Sequence, residues 1–195
     1  MSLSAKLPRL TWKVRDLAEV PQMRALWAAV VTDTGHPLLV HFLARLIDIS
    51  RVPARDPVRL ARALQLYSAR KIKFFRERPE RFQSALRTIA WGIGDCDDKA
   101  RFIAASLRTF RIPVRLKFLH LTLPGGQVLG HVYPQAWLPT RNGASGNRAL
   151  TSSWVALESV REYPLGYDPE TKARALGYGV KVTYIGDPGE DQTHI

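Results

Sequence analysis

The sequence predicts an α+β fold, helices first and then one antiparallel sheet, on three observations. Apolar residues recur at three- and four-residue spacing through the first half, a Gly-Ile-Gly break at Gly92 to Gly94 precedes one more helical pattern, and strand-like segments separated by turn residues follow it. Leu17 to Val31 and Leu38 to Ile49 read as an antiparallel helical pair split by the Thr-Gly-His-Pro breaker at Thr34 to Pro37. A third helix begins after Asp56 with Pro57 at its first position and runs to Arg78, where Pro79 ends it. A short helix over Phe82 to Ala90 leads into the glycine turn, and Phe74, Phe75 and Phe82 read as core rather than as a base-stacking platform. Asp95 caps a helix over Cys96 to Phe110 whose apolar face is Ala100, Ile103, Ala104 and Leu107, and Pro113 marks its exit. Val114 to Leu123 and Val128 to Leu138 form a hairpin about Pro124, Gly125 and Gly126; Thr140 to Ser153 is a polar loop. Trp154 to Leu157 gives a third strand, a helical turn spans Glu170 to Leu176, and Val180 to Ile185 gives a fourth strand.

At 195 residues the chain is long enough to bury one core without disulfides. Three regions are expected: an N-terminal helical region over residues 1–70 packed on a core over 71–186, and a tail over 187–195. Hydrophobic residues make up 46% and charged residues 24%, an ordinary balance for a globular protein. The single cysteine leaves no internal disulfide and lacks the other thiolates of a Cys-based zinc cluster, so Cys96 is a free thiol suited to a reducing compartment. Met1 to Leu17 has scattered charges and no apolar signal run, and the apolar stretch from Leu26 to Ile47 is broken at Asp33 to Pro37. A cytoplasmic protein with no membrane span is therefore expected.

The formal charge of +12 attracts polyanions or acidic proteins. Much of it lies between Arg51 and Arg87 as isolated Arg and Lys among apolar residues, the pattern of a solvated helix face. No zinc-finger spacing, aromatic RNP-like strand or consecutive basic run accompanies it. The Gly125-Gly126 pair lacks the Lys-Ser or Lys-Thr and following helix of a phosphate cradle.

Three segments carry chemistry. Gly94-Asp95-Cys96-Asp97-Asp98-Lys99-Ala100 puts the thiol at a helix start, where unpaired N–H groups and the helix dipole favour a thiolate and can receive an oxyanion. Asp95, Asp97 and Asp98 oppose this, since nearby negative charge raises a thiol pKa. Gly92 and Gly94 would let a substrate backbone approach closely. Gly130-His131-Val132-Tyr133 supplies the best base, and Trp154-Val155-Ala156-Leu157-Glu158 ends in a carboxylate that can fix the tautomer of His131. Glu162 and Asp168 are substitutes for Glu158. Gln83 and Trp91 are candidate oxyanion donors. His36, His41, His120 and His194 have no partner at useful spacing, and a metal site is disfavoured because no second histidine is placed to help.

These segments, with Leu107-Arg108 to Arg115 as a strand entry, resemble the transglutaminase-like superfamily of bacteria and phages over Ile72 to Leu165. The resemblance implies a papain-like core, a helix carrying the cysteine packed on an antiparallel sheet. It implies that Cys96 attacks an amide or ester carbonyl of a protein or peptide, His131 serves as base then acid, and Glu158 orients His131, with no cofactor. It also implies hydrolase, peptidase or acyltransferase chemistry and a bacterial, or phage-encoded, source. Glu158 departs from the family's more frequent aspartate. The alternative reading is a non-catalytic basic scaffold of the same fold, binding nucleic acid or an acidic or phage structural partner. The sequence carries no reading of oligomeric state.

Overall fold

The computed structural model describes residues 12–13, 19–75, 81–141 and 150–187. In chain order the first elements are β1 (Trp12–Lys13), α1 (Glu19–Asp33), α2 (Pro37–Ser50), α3 (Pro57–Lys71), β2 (Lys73–Phe74), β3 (Arg81–Phe82), α4 (Ala85–Trp91), β4 (Ile93–Gly94) and α5 (Cys96–Thr109). Helices α2 and α3 each begin on a proline after a side-chain cap: His36 Nδ1 accepts from the Leu38 N–H at 3.3 Å, and Asp56 Oδ1 from the Arg59 N–H at 3.0 Å.

Helix α5 is the hub. Ala100, Phe102, Ile103, Ala104, Ala105 and Leu107 are all buried, so the helix is covered all round rather than along one stripe. Its alanines let α1 and the sheet approach closely, while Phe102 meets Phe42 of α2 and Tyr67 of α3 at ring-centroid distances of 6.0 and 5.7 Å. Arg101 of α5 is fully buried and forms a two-pronged ion pair with Asp33 at 2.7 and 3.0 Å. Asp33 Oδ2 also accepts the Ala85 N–H at 2.8 Å, so one carboxylate joins α1, α4 and α5.

The remaining elements are β5 (Val114–Thr122), β6 (Val128–Arg141), β7 (Leu150–Ala156), α6 (Pro169–Ala175) and β8 (Gly179–Gly186). The four strands form one antiparallel sheet in the order β7-β6-β5-β8. Alternation places Val114, Leu116, Val132, Ala136 and Leu138 in the main core with α5, while Leu119, Tyr133 and Ala156 pack with Leu121, Val180 and Val182 in a second cluster. Among the described residues no helix is long and apolar enough to cross a membrane. Met1 to Leu17, apart from Trp12 and Lys13, lies outside the described residues, as do His194 and the expected tail after Asp187. Asp187 itself holds the sheet, its carboxylate accepting from the Val114 N–H at 3.2 Å and pairing with Arg108 at 2.6 Å.

Four local expectations are corrected. Helix α3 stops at Lys71 because Ile72, 1% exposed, turns into the core in an extended conformation. The backbone beyond it then pairs with the glycine segment, the Lys73 N–H reaching Gly92 O at 2.7 Å and the Phe75 N–H reaching Gly94 O at 3.1 Å. Phe74 and Phe75 are consequently exposed, and only Phe82 of that trio is core. The expected helix over Phe82 to Ala90 starts later, at Ala85, because Phe82 belongs to β3 and Ser84 supplies the cap. The expected loop over Thr140 to Ser153 is strand at both ends: β6 and β7 stay in register to Arg141 and Leu150, aided by the edge-to-face Trp137–Trp154 pair at 5.3 Å. Residues 142–149 lie outside the described residues.

The Asp33–Arg101 pair sets a test of the hub. Asp33→Ala strands a buried guanidinium and the Ala85 N–H, so we expect a loss of about 3–5 kcal/mol in urea denaturation. Truncation of the exposed Arg59, which only approaches Asp56 at 3.4 Å, should cost under ~1 kcal/mol.

Candidate active site

Cys96 is the first residue of α5, half-buried, and its position is fixed by the turn before it. Asp95 Oδ1 accepts from the N–H groups of Asp97 and Asp98 at 3.0 and 3.4 Å, and Asp98 Oδ2 accepts the Asp95 N–H at 3.4 Å. This capping box leaves the Cys96 N–H as the helix-start donor that it does not use. Gly94 is required one residue earlier: a Cβ there would stand 2.8 Å from Asp98 Cβ. Gly92 closes α4 at φ +63°. The two glycines thus serve chain packing and closure, not the approach of a substrate expected from sequence, and neither lines the cavity over Cys96.

That cavity, about 410 Å³, lies between α1, the start of α5 and strands β5 and β6. Met23, Leu26, Phe82, Phe118 and Leu129 make its apolar wall, Phe74 borders it, and Cys96, Asp97 and His131 bring its polar groups together. The cysteine sulfur accepts the Val132 N–H, which ties the thiol to the strand residue after His131. Burial is the main effect raising the Cys96 thiol pKa well above its ordinary value, followed by the charges of Asp97 and Asp95; the Val132 N–H opposes them. The thiol donates to Asp97 Oδ1 at 3.6 Å. Burial and the Asp95 charge also push Asp98 up to about 8, against the Gln83 N–H. The resting group at neutral pH is therefore a thiol, and the carboxylates outweigh the helix-start effect that favours a thiolate.

His131 lies on β6 where β7 no longer covers it. Strand β7 ends at Ala156, opposite Gln135, and the chain then turns so that Glu158 meets the imidazole edge-on, with Nε2 2.5 Å from Glu158 Oε2. With Nε2–H donated to the carboxylate, Nδ1 is the basic nitrogen of the neutral ring. Tyr133 stacks beside the ring at 5.7 Å, and its hydroxyl donates to Asp168 at 2.5 Å. Glu158 is 3% exposed. Burial works against its ionisation, but the His131 bond and charge and the N–H groups of Val160 and Ser159 prevail and hold it below the usual range.

The segment carrying Glu158 is held by residues that sequence reasoning did not single out. Gln65 of α3 donates to the Glu158 carbonyl at 2.7 Å, and Lys99 of α5 donates to the carbonyls of Ser159 and Ser68, each at 3.1 Å. Lys99 is 1% exposed; burial lowers its pKa to about 8, against the Glu158 charge. A lysine three residues after the cysteine, in the Cys-Asp-Asp-Lys-Ala helix start, is the signal the sequence offers.

The other candidates are placed elsewhere. Glu162 pairs with Arg70, and Asp168 with Lys117 at 2.7 Å, so neither serves His131. Gln83 is buried with its amide donating to Asp98 Oδ2 at 3.0 Å, and Trp91 is half-exposed under the Arg87 guanidinium at 4.0 Å. Neither is among the residues that line the cavity over Cys96. Asp95, Cys96 and Asp97 bring ligand atoms within 4.8 Å of one another, but Asp95 Oδ1 is already the helix cap.

The thiol's environment predicts its pH dependence. Because the folded pKa is raised, alkylation of Cys96 by iodoacetamide should be slow at neutral pH and climb as pH rises through that value. Asp97→Asn removes the charge while keeping an oxygen acceptor, so the rate-against-pH curve should move to lower pH. An unmoved curve would show that Asp97 does not control the thiol.

A transglutaminase-like superfamily model matches residues 48–159, more than half of the chain, and that range holds Cys96, His131 and Glu158. No curated protein matches. Among solved structures the chain is similar to one described as a "putative cysteine protease" from Cytophaga hutchinsonii, with 14% identity and a TM-score of 0.47. The alignment covers 89% of this chain and 60% of that one, so this chain spans less than two thirds of that protein. On the family match, the chain belongs to the transglutaminase-like superfamily.

Proposed function

We propose that the chain is a cysteine-dependent amide hydrolase, peptidase or acyltransferase acting on a protein or peptide through Cys96, His131 and Glu158. The observation that carries this reading is the buried Glu158 carboxylate 2.5 Å from His131 Nε2, with His131 and Cys96 on one cavity. As the Cys96 sulfur attacks the carbonyl carbon, its proton passes to His131 Nδ1, and the imidazolium is stabilised by Glu158. The carbonyl π pair moves onto oxygen, where the Cys96 N–H receives it. Collapse breaks the C–N bond, His131 returns the proton to the leaving amine, and a thioester remains. Water or a second amine then attacks, giving its proton to His131, and the thiolate leaves and is reprotonated. Hydrolysis and acyl transfer differ only in that second nucleophile.

The raised thiol pKa gives this sequence a consequence: the proton must move with the attack, so the base is indispensable. Casein incubated with the protein and a fluorescent primary amine tests both outcomes, reporting label incorporation for transfer and fragments for hydrolysis. Cys96→Ala should abolish either signal. Glu158→Gln, which keeps the shape but loses the charge, should lower the rate by about 10²-fold or more. His131→Ala should in addition slow iodoacetamide alkylation of Cys96 roughly tenfold or more at neutral pH. Alkylation indifferent to His131 would sink the base assignment, and activity surviving Cys96→Ala would sink the nucleophile.

A further inference from the structure

A second concavity, about 870 Å³, opens on the helical layer and shares no lining residue with the cavity over Cys96. Its floor is apolar: Leu46 and Ile49 from the end of α2, Val58 and Leu66 from α3, and Leu165 from the segment after Glu158. Ile49 is 75% exposed there, a large aliphatic side chain left in water. The rim is cationic, formed by Arg51, Arg59, Arg62, Arg70 and Lys71, and no carboxylate lines the groove. Asp56 and Glu162 reach Arg59 and Arg70 from outside it, and Arg62 donates to Gln65 and to the Tyr163 carbonyl. Arg51 and Lys71 have no ion-pair partner among the described residues.

The spacing gives the groove a length. Val58, Arg62, Leu66 and Arg70 follow one another at four-residue intervals on α3, and Val58 to Lys71 spans about 20 Å at ~1.5 Å per residue. That is the length of three to four helical turns in a partner, roughly 13 residues. We propose that this groove docks an acidic amphipathic helix of a protein partner, its apolar face on Leu46, Ile49, Leu66 and Leu165 and its carboxylates on the arginine and lysine rim. Charge complementarity selects this occupant. A nucleic acid would satisfy the rim but leave the aliphatic floor in water, and an uncharged apolar helix would cover the floor but desolvate cations without partners. The inference stands apart from the chemistry at Cys96.

The probe is a fluorescein-labelled synthetic helix of about 16 residues with leucines at i, i+3, i+4 and i+7 and glutamates flanking them, read by anisotropy against the full chain. The comparisons are a scrambled peptide of the same composition, a mixed-sequence DNA duplex, and phosphatidylserine–phosphatidylcholine vesicles. The amphipathic peptide should bind at least tenfold more tightly than its scramble. Ile49→Asp should weaken it at least tenfold, and Arg51→Glu with Lys71→Glu should weaken it at low salt and flatten its salt dependence. Iodoacetamide alkylation of Cys96 should be unchanged in these variants, showing that they fold. Equal binding of the scramble, or indifference to Ile49→Asp in a protein with normal alkylation, overturns the proposal. DNA or vesicles binding more tightly than the peptide, with loss on the charge reversals alone, overturns it in favour of a polyanion or membrane surface.

Discussion

Cys96 stands at the start of a helix buried along nearly its whole length, and that burial is the constraint from which the rest of the structure follows. A helix covered all round has to satisfy its polar side chains inside the protein. Arg101 does so for its Nε and Nη2 through Asp33, and Lys99 through the carbonyls of Ser68 and Ser159. Each solution recruits another element: Asp33 fixes α1 and the first N–H of α4, and Ser159 fixes the chain that presents Glu158. The interior of the hub and the geometry of the site are one set of contacts.

The same helix start resolves a conflict between two electrostatic effects. Unpaired N–H groups at a helix start favour a thiolate, yet here a capping box made of Asp95 and Asp98 uses several of those groups, and Asp97 adds a further charge at the sulfur. Burial and the carboxylates win, so the thiol is held protonated. A resting thiol is less exposed to oxidation and alkylation than a resting thiolate. In the proposed chemistry it also transfers the burden of activation to His131, which would make the buried carboxylate at His131 Nε2 more consequential than beside a preformed ion pair.

What the sequence made legible was local. The cysteine at a capped helix start, the histidine on a strand and the carboxylate just past a strand can each be read within a few residues, and the structure brings His131 and Glu158 into contact. What it hid depended on distant partners. The end of α3 at Lys71 is set by pairing with Gly92 to Gly94, some twenty residues on, and periodicity alone continues the helix past it. Gly94 looked like room for a substrate because nothing in its neighbours reveals that Asp98 packs against it. Gln83 looked like an oxyanion donor by its place before the cysteine, and its amide is taken by Asp98, a residue whose burial is a tertiary fact.

Lys99 and Gln65 also explain how glutamate can stand where the family more often has aspartate. The carboxyl does not depend on the register of β7, which ends at Ala156; it depends on where Gln65 and Lys99 hold the backbone of Glu158 and Ser159. Shortening the side chain by one methylene would withdraw the carboxyl by about 1.5 Å from His131 Nε2, while the clamp would keep the backbone from following. Side-chain length and clamp position are therefore matched to each other. The glutamate that departs from the family's more frequent aspartate is positioned by groups that are themselves fully buried, one of them on the helix that begins with Cys96.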